Sequence, residues 1–260
     1  MFTRSTHWLQ FWTATTALAV LSTACSDSGP QTTLSNVAVS FSTGGPAGSS
    51  VAPFLASAAA QPDTLRDNAG NVLIINTAEI VLREIELRRL EVANCDVEPE
   101  PEGCEKFETG PVLIDLPLDG TTSRQFEIQI EPGTYTEVEF EIHKVSDDPA
   151  DQTFVQNNPG FADISIKVTG TFNGQNFSYT SDLNVKQELA LQPNLVISDT
   201  DPVTTNVTIL ANVSVWFDDG TGGLVDPDTA NKGNANENLV RDNIRDSFEA
   251  FEDEDSDGRR

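Results

Sequence analysis

The sequence predicts an all-β protein: an antiparallel β-sandwich of about nine to eleven strands with one C-terminal amphipathic helix. The first observation is the segment 125–145, where apolar side chains alternate with glutamates on both sides of Pro132-Gly133. A period of two with one apolar and one acidic face is typical of an antiparallel strand pair that is half buried. The second is Asn173-Gly174, which stands between two alternating segments and predicts a tight hairpin.

The remaining strands are predicted in chain order from the same alternation. Segment 79–92 is ambiguous, because its apolar pairs change phase as in a bulged strand, while its Glu, Arg and Leu content also suits a helix. We interpret it as a strand, since strands flank it on both sides. Residues 43–64 are rich in Gly, Ala, Ser and Pro and predict a loose loop. The other predicted strands are 37–41, 72–75, 112–116, 164–172, 183–191, 195–197 and a long strand over 207–217.

The N-terminal residues predict an export signal. Arg4 supplies positive charge, and the apolar segment after Phe11 is too short to span a bilayer stably. It ends in Leu21-Ser22-Thr23-Ala24-Cys25, and small residues directly before a cysteine resemble the lipobox of bacterial lipoproteins, although Ser22 stands where Leu is usual. The resemblance implies a diacylglyceryl thioether on Cys25 and removal of the signal peptide 1–24. It also implies that the new N-terminus is acylated by a fatty acid such as palmitate. The alternative is an ordinary secretory signal cut at the same place.

The lipoprotein resemblance also implies a location. Ser26 follows Cys25, where an Asp often signals retention in the inner membrane, so the resemblance favours the outer membrane. Residues 25–35 are small and polar and predict a flexible tether between lipid and folded body. The expected partner is therefore the membrane, reached through the lipid anchor, in the cell envelope.

The charge of the chain excludes one class of partner. Lys and Arg total 15 against 41 Asp and Glu, which gives a formal net charge of −26. A nucleic-acid-binding surface requires clustered positive charge, and adhesion to anionic headgroups requires the same, so neither is expected. We interpret the acidity as a means of staying soluble; the alternative is a surface that collects divalent cations.

Two of the three cysteines predict a disulfide. Cys95 and Cys104 bracket an acidic loop that Pro99 and Pro101 stiffen. In an exported chain whose third cysteine is lipidated, the remaining pair is expected to be oxidised. A zinc or redox site would need a CxxC motif or more ligands.

Two groups of carboxylates are candidates for calcium binding. Asp253, Asp255 and Asp257 alternate and precede Gly258, which matches the first half of a calcium loop. The bidentate Glu expected six residues later is not in the sequence, so we expect 253–260 to be a disordered acidic tail. The second group lies in the Gly/Asp-rich segment 218–236, which we interpret as a turn; its carboxylates are Asp218, Asp219, Asp226 and Asp228.

The C-terminal helix is predicted over 237–252. Asn236 precedes it as a cap, and apolar side chains follow at helical spacing on one stripe. We expect this stripe to pack on the sandwich. Its members are Val240, Ile244, Phe248 and Phe251.

No residue is singled out for catalysis. His143 is the only histidine after cleavage, and no nucleophile elbow or HExxH motif surrounds it, so we interpret it as a surface residue. The order IVLREIEL, VLIDLPL, EPGTYTEVEFEI and VSVWF resembles an uncharacterised transthyretin-like family of secreted bacterial β-domain proteins over about residues 70–217. The resemblance supports a β-sandwich domain over 36–217 and brings no catalytic residues.

The expected function is therefore a non-enzymatic structural, adhesion or interaction module of the envelope. Its partner would be another envelope protein or a glycan. The alternative is a carbohydrate-binding module, which would need exposed rings from Trp216, Tyr135 and Tyr179. A hydrolase of unknown substrate is the third expectation.

Overall fold

The computed structural model describes residues 34–44, 63–92, 94–97, 99, 101, 103–198 and 205–259. The predicted signal peptide 1–24, Cys25 and the tether up to residue 33 lie outside these residues, as does most of the predicted loop 43–64. The lipobox therefore stays a prediction.

The described residues form eleven strands and two short α-helices, which confirms the all-β class. No helix among these residues is long and apolar enough to cross a bilayer. The strands are β1 (Ser35–Ser42), β2 (Asp63–Arg66), β3 (Val72–Arg89), β4 (Cys104–Asp115), β5 (Thr122–Ile130), β6 (Gly133–Ile142), β7 (Ile166–Phe172), β8 (Gln175–Ser181), β9 (Val185–Ile197), β10 (Thr205–Ala211) and β11 (Phe248–Glu252); the helices are α1 (Gln152–Asn157) and α2 (Glu237–Arg245).

The strands form one large curled sheet in the order β5-β1-β10-β11-β9-β6-β3-β7-β8, with β2 and β4 also paired to β3. This sheet is mixed, because β1 runs parallel to β10 and β9 parallel to β11. The prediction of an antiparallel arrangement throughout is thus corrected, and the sandwich is not confirmed. Alternation reveals which face of a strand is buried, but it carries no information about the direction of the neighbouring strand.

The ambiguous segment 79–92 is confirmed as a strand with bulges. It belongs to β3, an 18-residue strand that pairs with four other strands. One edge of β3 pairs with β7 and then β6, and the other pairs with β2 and then β4. The register shifts between Leu82 and Glu84 and again between Arg88 and Arg89, which explains why its apolar pairs change phase in the sequence.

The predicted pairing across Pro132-Gly133 is wrong, although both strands exist. β5 pairs with β1, whereas β6 lies between β3 and β9. The short connection therefore carries the chain from the edge of the sheet to its middle. By contrast, the hairpin at Asn173-Gly174 is confirmed, since β7 and β8 pair there and both turn residues have positive φ angles, 52° and 80°.

Further element boundaries differ from the predictions, among them the start of β4, which is Cys104 instead of residue 112. The predicted strand 207–217 ends at Ala211, and a 3₁₀ turn at Val213–Val215 then directs Trp216 into the core. The predicted strands 183–191 and 195–197 form the single strand β9. The predicted helix 237–252 ends at Arg245, because Phe248 and Ala250 are buried by strand alternation in β11, between β10 and β9.

One hydrophobic core joins all parts of the sheet and α2. Val240 and Ile244 of α2 are fully buried in it, as the helical stripe predicted. Phe140 on β6 contacts Phe41 of β1 and Phe248 of β11 edge to face, with ring centroids 6.4 and 5.3 Å apart. Such ring pairs contribute about 0.5–1.5 kcal/mol beyond the area they bury, so they tie distant strands together.

Candidate functional site

The predicted disulfide is confirmed. Cys95 is bonded to Cys104, the first residue of β4, with a Cα–Cα distance of 5.8 Å. Cys104 lies opposite Arg88 in the pairing of β3 with β4. The bond therefore holds the acidic loop 95–104 beside one end of β3.

The outward side of β4, β3, β6 and β9 forms a charged face. The registers place Lys106, Glu86, Glu139 and Glu188 directly opposite one another on four neighbouring strands. Like charges in such positions are destabilising, so adjacent glutamates require compensation. The sequence shows the alternating glutamates but not the register, and for that reason it could not reveal this row.

Basic side chains supply the compensation. Arg88 donates from Nε and Nη2 to both carboxylate oxygens of Glu137, at 2.8 and 2.6 Å. The Lys186 ammonium lies 2.8 Å from Asp96 and 2.7 Å from Glu139. The hydrogen bond to Asp96 and then the one to Glu139 raise the pKa of Lys186 above its ordinary value. The ammonium of Lys186 thus offsets the charge of Glu139 within the row, and Arg88 pairs with Glu137 in the neighbouring row.

A cleft of about 280 Å³ opens on the charged face beside the disulfide. Oxygen atoms of Asp96, Glu139 and Glu188 lie within 4.8 Å of one another there, which is close enough to hold a cation. Lys186 already contacts two of the three carboxylates. The ammonium of Lys186 therefore neutralises part of the carboxylate charge in the cleft, and we assign the cleft a structural role.

His143 is buried, contrary to the interpretation from sequence. Its Nε2 donates to both oxygens of Asp151 at 3.0 Å, and its Nδ1 lies 3.9 Å from Glu141 Oε1 without a hydrogen-bond partner. Asp151 also accepts hydrogen bonds from the backbone N–H and the hydroxyl of Ser146. Burial alone would raise the pKa of Asp151, but the bonds from Ser146 and His143 hold it below its ordinary value. These hydrogen bonds hold Asp151, in the segment after β6, against His143 at the end of that strand.

The carboxylates of the C-terminal segment come together, and the predicted disorder is wrong for 253–259. Oxygen atoms of Asp253, Asp255 and Asp257 lie within 4.8 Å of one another. Asp253 is buried and accepts from the Thr208 hydroxyl at 2.7 Å and from the N–H groups of Asp257 and Gly258 at 3.1 and 2.9 Å. Its oxygens therefore organise the loop against β10, while calcium binding stays a prediction.

The second carboxylate group is not brought together as a cation site among the described residues. Asp219 accepts from the N–H groups of Gly223 and Thr221, and these hydrogen bonds lower its pKa. Asp226 accepts from the N–H of Asp228 at the start of a 3₁₀ turn. Asp218 accepts from the N–H of Gly220. These side chains stabilise turns, as the preferred interpretation from sequence expected.

The three aromatic residues considered for glycan binding are all in the core. Trp216, Tyr135 and Tyr179 have no exposed surface. Trp216 Nε1 donates to Ser247 Oγ at 2.8 Å, and burial raises the pKa of both tyrosines to about 12. None of these rings can act as a platform for a sugar.

Comparisons with known proteins give no relative: no family model matches the chain, and neither does any curated protein or solved structure. The resemblances to bacterial lipoproteins and to the transthyretin-like secreted family stay predictions.

Proposed function

We propose that this chain is a lipid-anchored protein of the bacterial cell envelope whose folded body is a non-enzymatic interaction module. One observation carries the proposal. The chain has three cysteines, and Cys95 and Cys104 are bonded to each other, which leaves Cys25 as the cysteine outside the disulfide. Cys25 directly follows the apolar segment and the small residues Ser22-Thr23-Ala24. This is the position at which a lipoprotein receives its lipid.

The disulfide also supports export. Such bonds persist in oxidising compartments and are rare where thiols are kept reduced. The lipid supports a durable anchor, because acyl chains contribute about 0.8 kcal/mol per buried CH₂ and a second chain makes membrane attachment stable. Ser26 supports the outer membrane as the destination, by resemblance to other lipoproteins.

The arrangement of polar groups supports a non-enzymatic body. Within the described residues, His143 is buried against Asp151, and the carboxylates Glu137 and Glu139 are paired with basic side chains. Catalytic groups are more often found in open clefts, where polar atoms without a protein hydrogen-bond partner face the substrate. Glycan binding has no support from Trp216 or from the two tyrosines, since these rings are buried.

We also propose that the curled sheet works as a two-layer sandwich. The contact between Phe41 of β1 and Phe140 of β6 supports this arrangement, as does the 6.3 Å ring contact between Phe107 of β4 and Phe126 of β5. These strands are not hydrogen-bonded to each other across those pairs, so their side chains meet across the core.

The anchor is tested by Cys25→Ala, with Ser28→Ala in the adjoining segment as the matched control. We expect Cys25→Ala to lose metabolic palmitate labelling and to leave the membrane fraction, while Ser28→Ala keeps both. Unchanged labelling of the Cys25→Ala protein would overturn the proposal of an anchor.

The non-enzymatic assignment has a separate test. We expect no turnover of generic ester and glycoside substrates by the anchored protein. Turnover that disappears in Asp151→Asn protein shown to be folded under the assay conditions, but persists in Asp147→Asn and in the destabilised Asp253→Ala, would replace this assignment with a hydrolase that uses the His143 cluster.

A further inference from the structure

Four large hydrophobic side chains are exposed in the described part of the chain, and three of them lie at one end of the sheet. Leu34, Leu90, Val97 and Val196 expose 47, 63, 44 and 64% of their surface. Single exposed hydrophobic residues are common on protein surfaces, so each alone needs no explanation. The shared position of three of them is the observation that carries weight.

The strand registers establish that position. Leu34 precedes Ser35, which pairs with Ile130 at the end of β5. The chain then turns into β6, where Thr134 pairs with Val196 of β9. The carbonyl of Thr134 also accepts from the N–H of Leu90 at 2.9 Å. Leu34, Leu90 and Val196 therefore follow one rim of the sheet, which we call the apolar rim.

The fourth side chain belongs to the charged face, where its neighbour Asp96 contacts Lys186. Val97 follows Cys95 in the loop that the disulfide closes, and Cys104 pairs with Arg88 at the rim end of β3. The opposite end of β3 begins at Val72, about 60 Å of strand away if fully extended. The turn at Asn173-Gly174 lies at that far end, where the described residues include no exposed large hydrophobic side chain.

The described end of the predicted tether, Leu34 and Ser35, lies at the same rim. Leu34 is the first described residue and follows Cys25 by nine positions in the sequence. A chain of that length spans at most about 30 Å when extended. If Cys25 carries lipid, as the proposed function requires, the apolar rim is the part of the body held nearest to the bilayer.

We propose that the apolar rim rests on the membrane that holds the anchor, with Leu34, Leu90 and Val196 inserted among the lipid headgroups. This inference rests on the proposed lipid anchor and adds an orientation to it. Aliphatic side chains gain from leaving water at the boundary between headgroups and acyl chains. The anchor makes a small patch sufficient, because it converts binding into a local, intramolecular event.

The charges beside the rim define which lipid surface fits. Glu91 and Glu131 have 64 and 39% of their side chains exposed, while Arg89 exposes only 11%. An anionic surface would repel the two glutamates. The rim is therefore suited to zwitterionic headgroups, and the partner is a phosphatidylcholine- or phosphatidylethanolamine-like surface.

Fluorescence quenching in vesicles tests this orientation. The lipidated full-length protein, carrying Leu90→Trp or Val196→Trp, is reconstituted into brominated phosphatidylcholine vesicles. Asn176→Trp is the matched control, because position 176 is exposed on β8 next to the far turn. Trp216 is buried and contributes the same background to every variant.

We expect the fluorescence of the indoles at positions 90 and 196 to be quenched about twofold, because rings at the membrane interface lie within about 5–10 Å of the acyl boundary. The fluorescence of the indole at position 176 should be unaffected. Adding phosphatidylglycerol should reduce the quenching. Equal quenching at 90, 196 and 176 would overturn the orientation. A fluorescence change that depends on protein concentration and not on bromine would also overturn it, because it would show that a second copy of the chain covers the rim.

Mass spectrometry of the same sample separates the two proposals. Absence of lipid on Cys25 would remove the anchor and with it the basis of the inference. Lipid on Cys25 without quenching at positions 90 and 196 would leave the anchor intact and overturn the membrane-facing rim alone.

Discussion

At the scale of single residues, the side chains with the greatest structural consequence are buried acids. Asp151 accepts the Nε2–H of His143, shared between its two oxygens, and the N–H and hydroxyl of Ser146, and it exposes 1% of its surface. Removing the charge of Asp151 weakens the hydrogen bonds that it accepts from buried donors, and hydrogen bonds to charged groups contribute about 1.5–3 kcal/mol. Asp151 is therefore a sensitive point for the stability of the segment after β6.

We predict that Asp151→Asn lowers the free energy of unfolding by about 2 kcal/mol at neutral pH, because hydrogen bonds to a charged acceptor are lost or weakened. The pKa of Asp151 is below its ordinary value of 3.8 in the folded protein, so its contribution is present above pH 3.8. That contribution is lost as the pH falls through the lowered folded value. Urea unfolding of wild type and variant from pH 7 downwards should therefore show a gap that narrows below pH 3.8.

Asp147→Asn is the matched control for this measurement, because Asp147 is exposed on the same loop. Its effect should stay within about 0.5 kcal/mol, as for most surface substitutions. A gap for Asp151→Asn that is constant with pH would contradict the assigned role of the carboxylate.

A second prediction concerns Asp253, whose oxygens accept hydrogen bonds from Thr208 and from the C-terminal loop. We expect Asp253→Ala to cost about 1–3 kcal/mol, because Thr208 and the N–H groups of the loop lose their acceptor. The measurement is chemical unfolding in buffer with a chelator, and Glu254→Gln is the control. A loss that appears only when millimolar calcium is present would show instead that Asp253, Asp255 and Asp257 act as a metal site.

Sequence patterns predicted the chemistry of single residues better than their surroundings. The cysteine count predicted the bond between Cys95 and Cys104, which is confirmed, whereas the disorder expected from Asp253 onwards was wrong. The burial of His143 was missed because it depends on Asp151, which lies eight residues away on a loop that folds back over the strand. A strand pattern specifies the two faces of a sheet, but it does not specify which loop covers the outer one.

At the scale of elements, β7 shows how closely two strands approach. A Cβ atom added at Gly170 would lie 2.0 Å from the carbonyl oxygen of Ile74 on β3 and 2.9 Å from the ring of Phe177 on β8. Backbone atoms cannot yield as a flexible side chain can. The pairing of β7 with β3 therefore depends on glycine at this position.

We predict that Gly170→Ala lowers the free energy of unfolding by about 1–3 kcal/mol, the usual cost of overpacking a core. Gly110→Ala is the matched control, since it also lies in a strand and a Cβ there would meet nothing within 4 Å. The control should be neutral to within about 0.5 kcal/mol. Equal effects of the two substitutions in thermal or urea unfolding would contradict the close approach.

Elements were predictable where local chemistry decides them. Asn173-Gly174 adopts a conformation with two positive φ angles, so its hairpin could be identified from two letters. The link at Pro132-Gly133 is different, because the partners of β5 and β6 are chosen by contacts with β1, β3 and β9, far away in sequence. Phe248 fits both a helical stripe and a strand, and only its place between β10 and β9 selects the strand.

At the scale of the whole molecule, the dominant property is an excess of negative charge. The chain carries 41 acidic and 15 basic residues, so most carboxylates cannot be paired. Ion pairs such as Arg88–Glu137 stabilise the charged face locally. Exposed pairs contribute only about 0–1 kcal/mol each, whereas repulsion among the surplus carboxylates acts over the full Debye length.

We therefore predict that the melting temperature rises when sodium chloride is increased from about 10 mM to about 0.5 M. The Debye length falls from about 30 Å to less than 10 Å over this range, which weakens repulsion more than it weakens the short, partly buried ion pairs. A gain of about 1 kcal/mol would raise the melting temperature by about 2–4 °C for a chain of this size. Differential scanning calorimetry of the purified protein measures the shift.

Glu188→Gln connects this global effect to one position on the charged face. Glu188 on β9 lies opposite Glu139 on β6. Removing the charge of Glu188 should therefore raise the free energy of unfolding at low salt by about 0.2–1 kcal/mol. The gain should shrink at high salt, because screening already removes the repulsion in the wild type. A melting temperature that falls with salt, together with a destabilised Glu188→Gln, would mean that ion pairs and not surplus charge govern the stability of the body.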